Sequence, residues 1–138
     1  MKALIAVFAV LALAGCGREQ EGVVPEACTS PPAELASALG AAPGPVRVDG
    51  VPLSHCLVRN ASVGDVQAVG STFLAAAQTL DRERDAVALG YLVGALRRGG
   101  QASQGIYSEM VRRVESEAGP FRRSPGFERG LRAGRSSG

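Results

Sequence analysis

Three cysteines carry most of the reactive chemistry that this sequence offers: Cys16, Cys28 and Cys56. A cysteine thiolate can be acylated, can join a second cysteine in a disulfide or can bind a metal ion. A structural zinc site needs four donors, and beside these cysteines the chain has a single histidine, His55. The sequence therefore predicts no metal site. It also has no phosphate-binding glycine loop or dinucleotide fingerprint, so no cofactor is predicted.

His55 is the one side chain suited to general acid–base catalysis at neutral pH. Side chains adjacent in sequence, here Ser54 and Cys56, rarely point toward the histidine between them. A nucleophile and its base usually converge from different parts of a fold. The residues that would have to approach it are Ser71, Ser103 or Ser108 with Asp49 or Asp65. Nothing in their spacing favours this, so no catalytic residue is predicted. A small enzyme or ligand-binding protein with a site near His55 is the alternative.

Cys16 ends the segment Leu13-Ala14-Gly15-Cys16, which closes an apolar stretch that begins after Lys2. The segment resembles the lipobox of bacterial lipoproteins. This resemblance implies that residues 1–15 are a signal peptide removed by cleavage, and that the Cys16 thiol and the new amino terminus carry acyl chains such as palmitate. Residues 3–14 would span about 18 Å as a helix, well short of the roughly 30 Å hydrocarbon core. That length suits a signal peptide. An ordinary secretory signal followed by an incidental thiol is the alternative.

An odd number of cysteines in an exported protein leaves one thiol to explain. Lipidation of Cys16 would leave Cys28 and Cys56, which are expected to form a disulfide in an oxidising compartment. Closing that loop would stabilise the domain by about 3.5 kcal/mol. The alternative is a pair of free, buried thiols.

The lipobox resemblance also implies a location. The protein would be exported and lipid-anchored, either to the outer face of the cytoplasmic membrane or to the outer membrane. Its partner there is the membrane, and the function predicted is that of a binding or structural module of the cell envelope. A nucleic-acid partner conflicts with this location.

The elements that must position these residues are mainly helical. Residues 16–27 are polar and aperiodic, as in a flexible tether, and residues 28–118 are predicted to form the domain. A first helix is expected after Ser30, and Asp49-Gly50 indicates a hairpin turn. A second helix follows a Ser62 cap. The predicted fold is mainly α, a small three- or four-helix bundle with a short N-terminal β-hairpin and one disulfide.

A third helix is predicted over residues 86–98, ended by Gly99-Gly100, and a fourth from a Ser103 cap to Gly119-Pro120. Gly90 and Gly94 on the third helix match a GxxxG pattern. In a segment this short, the pattern indicates close approach of a neighbouring helix in the bundle, and Gly70 on the second helix is the expected small partner. The alternative, a membrane-helix dimer, needs a longer apolar run.

The last twenty residues, 119–138, are predicted to form a tail rich in arginine and glycine. Its arginines are candidate contacts to an anionic envelope partner: Arg122, Arg123, Arg129, Arg132 and Arg135. The alternative is that Phe127 and Leu131 dock onto the bundle with the arginines in water and the final Ser-Ser-Gly disordered.

Overall fold

The computed structural model describes residues 22–138. The proposed signal peptide, Cys16 and the first part of the predicted tether lie outside the described residues. The described helices are α1 (Pro32–Leu39), α2 (Val63–Arg82), α3 (Ala86–Ala102), α4 (Ser108–Glu117) and α5 (Pro125–Ser137). Strands β1 (Arg47–Val48) and β2 (Val51–Pro52) form an antiparallel hairpin, and short 3₁₀ helices cover Glu26–Thr29, Leu53–Cys56 and Gly119–Phe121. The predicted mainly helical fold with a short hairpin and one disulfide is confirmed.

Local sequence signals explain the first half of the fold. Pro32 occupies the first turn of α1, where its missing N–H is not needed, and Gly40 ends the helix. In the hairpin, Val48 pairs with Val51. Asp49 and Gly50 both have positive φ, 46° and 80°, as the tightest hairpin turn requires. At the start of α2, the Ser62 hydroxyl accepts a hydrogen bond from the Asp65 N–H, which is the predicted cap.

Helix α3 forms the centre of the domain, because every residue from Ala88 to Leu96 is buried. The helix starts at an Asp85 cap, whose carboxylate accepts a hydrogen bond from the Ala88 N–H. It runs past Gly99-Gly100, where the sequence predicted a stop, and ends at Ala102. Gly99 faces the main chain of Ser54, leaving no room for a Cβ atom. This glycine therefore serves a close approach within the fold, and not a helix end.

Helix α4 begins at Ser108, four residues later than a Ser103 cap predicts. Ser103 does not cap α4, because its N–H and hydroxyl bond back to the carbonyls of Gly99 and Gly100 at the end of α3. Residues 103–107 form the turn between the two helices, and Gln104 and Gly105 have positive φ there. The 3₁₀ helix after α4 begins at Gly119, where the predicted stop lies.

Residues 119–138, the predicted arginine- and glycine-rich tail, are helical over most of their length. Residues 125–137 form α5, which starts at a Ser124 cap with Pro125 at its first position. The final Ser-Ser-Gly, predicted to be disordered, is also ordered: Ser137 is helical, and the buried Gly138 accepts a hydrogen bond from the Ser54 hydroxyl at 2.6 Å. Docking of Phe127 onto the bundle is confirmed, since this ring is 5 % exposed.

Helices α3 and α5 run in the same direction and touch through their backbones. A Cβ atom on Gly90 would overlap the main chain of Phe127, and one on Gly94 would overlap that of Leu131. The reverse also holds, because a Cβ atom on Gly130 would overlap the Val87 carbonyl oxygen. Glycines recur every fourth residue along α5, at positions 126, 130, 134 and 138. Residues four apart share a helix face, so these glycines form one continuous contact line.

The expectation that Gly90 and Gly94 permit close helix packing is confirmed, but the predicted partner is wrong. Gly70 faces α4, where the nearest side-chain atom to an added Cβ is Met110 Cγ at 3.5 Å. That distance is ordinary van der Waals contact. The matching small surface is the glycine line of α5.

One buried tyrosine links the segment just before the hairpin to the last turn of α5. Tyr91 of α3 is fully buried, and its hydroxyl accepts a hydrogen bond from the Val46 N–H at 2.9 Å. The same oxygen lies 3.2 Å from the hydroxyl of Ser137 near the end of α5. A buried phenol needs such partners, because an unpaired one costs free energy. The hairpin and α5 are thereby held on the same side of α3.

Candidate functional site

The Cys28–Cys56 disulfide predicted from cysteine parity is present. The two Cα atoms are 5.4 Å apart, and both residues are buried, at 2 % and 1 % exposed. The bond joins the 3₁₀ helix Glu26–Thr29 to the 3₁₀ helix Leu53–Cys56. These segments lack the length to be stable helices alone, so the cross-link fixes the part of the domain with the least regular structure.

The structure does not assemble the site considered around His55. The Ser54 hydroxyl is buried and donates to the main-chain oxygen of Gly138. His55 itself is exposed, and Asp49 lies in the hairpin turn. Among the more distant serines, Ser103 donates to Gly100. Within residues 22–138, no serine hydroxyl or carboxylate stands in hydrogen-bonding distance of the imidazole.

The five arginines predicted as anionic contacts are split between two places. Arg122 donates to the carbonyl oxygen of Glu115 at 2.7 Å, just ahead of α5, and Arg123 follows it. The other three lie on α5 at spacings of three residues: Arg129, Arg132 and Arg135. Side chains three apart lie on neighbouring positions of one helix face, and all three are exposed. We call this set the α5 arginine face. Its guanidinium groups make no ion pair with any described residue.

A second surface feature is a groove of about 450 Å³ between α2 and α4. Its floor is apolar, with Val66, Leu74 and Met110, and its rim carries Glu109 and Arg113. Glu109 accepts hydrogen bonds from Arg113 and Arg112 at 2.9 and 2.8 Å. Those bonds lower the pKa of the Glu109 carboxyl. Glu109 and Arg113 lie one helical turn apart. As all three groups are well exposed, this network contributes little to stability.

Tyr107 is buried in the turn that precedes α4. Its hydroxyl is the one fully buried side-chain polar atom, among residues 22–138, that has no hydrogen-bond partner. Burial raises the pKa of this phenol; the main chain of Val58, close by but outside hydrogen-bonding geometry, lowers it by less. The group stays protonated at neutral pH, so it offers neither a nucleophile nor a base.

Metal-binding clusters and membrane-spanning helices are both absent from residues 22–138. No group of three or more His, Cys, Asp or Glu side chains there is close enough to hold a metal ion. Among the same residues, no helix is both long and apolar enough to span a bilayer.

Comparisons with protein-family models, with curated proteins and with solved structures find no significant match to this chain. Three features of the chain itself bear on its function. These features are the Cys28–Cys56 disulfide, the α5 arginine face and the groove between α2 and α4.

Sequence reasoning missed α5, although two signals for it are visible. Ser124-Pro125 is a cap followed by proline at the first helical position, a common start of a helix. The four-residue glycine period over 126–138 matches the Gly90–Gly94 spacing on α3. Reading the two glycine series together would have paired the helices and placed the arginines on the opposite face of α5.

Proposed function

We propose that this chain is an exported lipoprotein, held at a membrane by acyl chains on Cys16. Its helical domain acts as a binding or structural module of the cell envelope. The observation that most directly supports export is the buried Cys28–Cys56 disulfide. Such bonds persist in oxidising compartments and are rare in the cytosol. The lipobox resemblance of Leu13-Ala14-Gly15-Cys16 supplies the anchor.

The α5 arginine face gives this module a surface for an anionic envelope partner. Basic side chains near an anionic surface contribute about 1 kcal/mol each, and salt screens them. Acyl chains contribute about 0.8 kcal/mol for each buried methylene group. Retention at the membrane is therefore assigned to Cys16, and the arginines select what the domain touches there.

The thiol state of the protein in cells tests this proposal. Cells are lysed directly into denaturing buffer containing a polymer-linked maleimide, which adds a fixed mass to each free thiol. We expect no addition without reductant, because Cys16 is acylated and the other two cysteines are joined. Reduction should expose two thiols.

The other outcomes are separable. A single maleimide addition without reductant would mean that the disulfide is intact but that Cys16 is not acylated. Three additions would mean that the disulfide is also absent, which contradicts export. A variant carrying both Cys28→Ser and Cys56→Ser serves as the control. It should gain no maleimide in either condition if Cys16 is blocked.

A further inference from the structure

The chain enters the described domain at one end of the bundle. The Gly22 N–H donates to the Asn60 carbonyl at 2.8 Å, three residues before α2 begins at Val63. An Arg59 guanidinium N–H reaches the carbonyl oxygen of Ala102, the last residue of α3. The start of α2, the end of α3 and the turn over residues 103–107 therefore lie together. We call this the tether end.

The last turn of α5 lies at the same end, because α5 runs parallel to α3. Gly138 bonds to Ser54, and Ser54 lies against Gly99 near the end of α3. Arg98 donates to the carbonyl oxygen of Ser136 at 2.7 Å, which joins the final turns of the two helices. The opposite end of the bundle holds the α2–α3 turn and the start of α5.

The large hydrophobic side chains that are exposed in the described domain all belong to the tether end. They are Val23, Val63 and Ile106, exposed by 87 %, 76 % and 46 %. Val23 adjoins Gly22, Val63 is the first residue of α2, and Ile106 lies in the turn after α3. We call these the apolar trio. Scattered exposed side chains need no explanation, but confinement of all three to one end does.

Basic residues accompany the apolar trio. Three exposed arginines lie on the elements that meet at the tether end: Arg59, Arg98 and Arg135. Among the carboxylates on the same segments, Glu109 is paired with Arg112 and Arg113. Asp65 accepts a hydrogen bond only from the neutral Ser62 hydroxyl, and Glu26 is exposed, so two negative charges stand against these three arginines. Exposed apolar side chains beside arginines match the interface of an anionic bilayer, where apolar groups enter the acyl boundary and cations meet phosphates.

The proposed anchor places this end beside lipid. Six peptide units join Cys16 to Gly22. Fully extended they span about 20 Å, which is an upper limit set by covalent geometry. Acyl chains on Cys16 would therefore keep the apolar trio within a short distance of the head groups, whatever path the linker takes.

We propose that the tether end is a membrane-docking surface for anionic phospholipid. The apolar trio enters the interfacial layer, and the three arginines contact lipid phosphates. The domain then stands on the bilayer with α2 and α3 pointing away from it, instead of moving freely on its linker. This inference rests on the proposed lipidation of Cys16.

The chain contains no tryptophan, so a single introduced tryptophan reports its own depth. Full-length protein with Val63→Trp is purified from membranes of a bacterium that processes lipoproteins. It is then placed in phosphatidylglycerol–phosphatidylcholine vesicles with bromine on the acyl chains. A side chain about 5–10 Å into the head-group boundary should lose about half of its fluorescence or more.

The matched control is Glu83→Trp, an exposed site at the far end of α2. Helix α2 has 20 residues. It is about 30 Å long, so this tryptophan should keep its fluorescence in the same vesicles.

A second arm compares Arg59→Gln/Arg98→Gln with Arg82→Gln/Arg123→Gln, each in the Val63→Trp background. Only the first pair should weaken quenching, and it should do so in anionic vesicles.

Mass spectrometry of the reconstituted protein separates the two proposals. If Cys16 is acylated and the two tryptophans are quenched equally, docking is wrong while the anchor stands. A blue-shifted emission spectrum of the Val63→Trp variant without bromine quenching also overturns docking, because it shows that protein and not lipid covers this end. If Cys16 carries no acyl chain, the proposed function fails and this inference fails with it.

Discussion

Gly130→Ala is expected to lower the free energy of unfolding by about 3 kcal/mol or more. The added Cβ atom would overlap the Val87 carbonyl oxygen and crowd the Tyr91 N–H, both on the backbone of α3. Backbone atoms cannot move aside as a flexible side chain does, so the two helices must separate. Separation would open contacts around α3, whose central residues are all buried. Urea denaturation followed by circular dichroism measures the change.

The control is Gly70→Ala on α2, the same substitution inside another helix. There the new methyl group meets Met110 Cγ at 3.5 Å, an ordinary contact. Alanine also reduces the freedom of the unfolded chain, so this variant should be unchanged or more stable by up to about 1 kcal/mol. Equal stability of the two variants would contradict the packing described for α3 and α5.

Cys16→Ser is expected to abolish fatty-acid incorporation and membrane retention through acyl chains. Two chains of typical length bury enough methylene groups to contribute more than about 20 kcal/mol. The arginines of the domain contribute about 1 kcal/mol each and cannot replace that anchor. Growth with an alkyne-tagged fatty acid, followed by coupling of a fluorophore, measures incorporation.

The double variant Cys28→Ser/Cys56→Ser is the matched control, because it removes the other two thiols and keeps Cys16. Whatever amount of this double variant accumulates in cells should still carry the fatty-acid label. Label that persists in Cys16→Ser, or that is missing from the wild-type chain, would contradict the anchor.

Local signals predicted the first half of the fold well. The Asp49-Gly50 turn and the Ser62 cap act over three or four residues, so their chemistry can be read from the sequence alone. The Cys28–Cys56 bond was found by a different route, since parity left only one pairing once Cys16 was assigned to a lipid.

The errors occur where a glycine serves a distant contact. Gly99 was interpreted as a helix stop, but in the fold it lets α3 approach the main chain of Ser54. The glycines and arginines of α5 were interpreted as a tail from their composition. Each glycine lowers helix propensity by about 1 kcal/mol. Contact with α3 overrides that penalty. The reason for glycine at these positions is the close contact between α3 and α5, so it cannot be read from the sequence of either helix alone.

The candidate site was predictable only in part. The arginines of residues 122–135 were identified by composition, but their division between the α5 face and the segment ahead of it depends on where α5 begins. The tether end was not predictable, because it joins Val23, Val63 and Ile106 from three separate segments. Only the fold shows that these side chains share one end of the bundle.

Intact-mass spectrometry of the native protein, extracted from its membrane in detergent, tests the lipid anchor most directly. The account predicts a chain that begins at Cys16 and carries the added mass of a diacylglyceryl group, with or without a further acyl chain on the amino terminus. A free thiol at Cys16, or a mass that still includes residues 1–15, would contradict it.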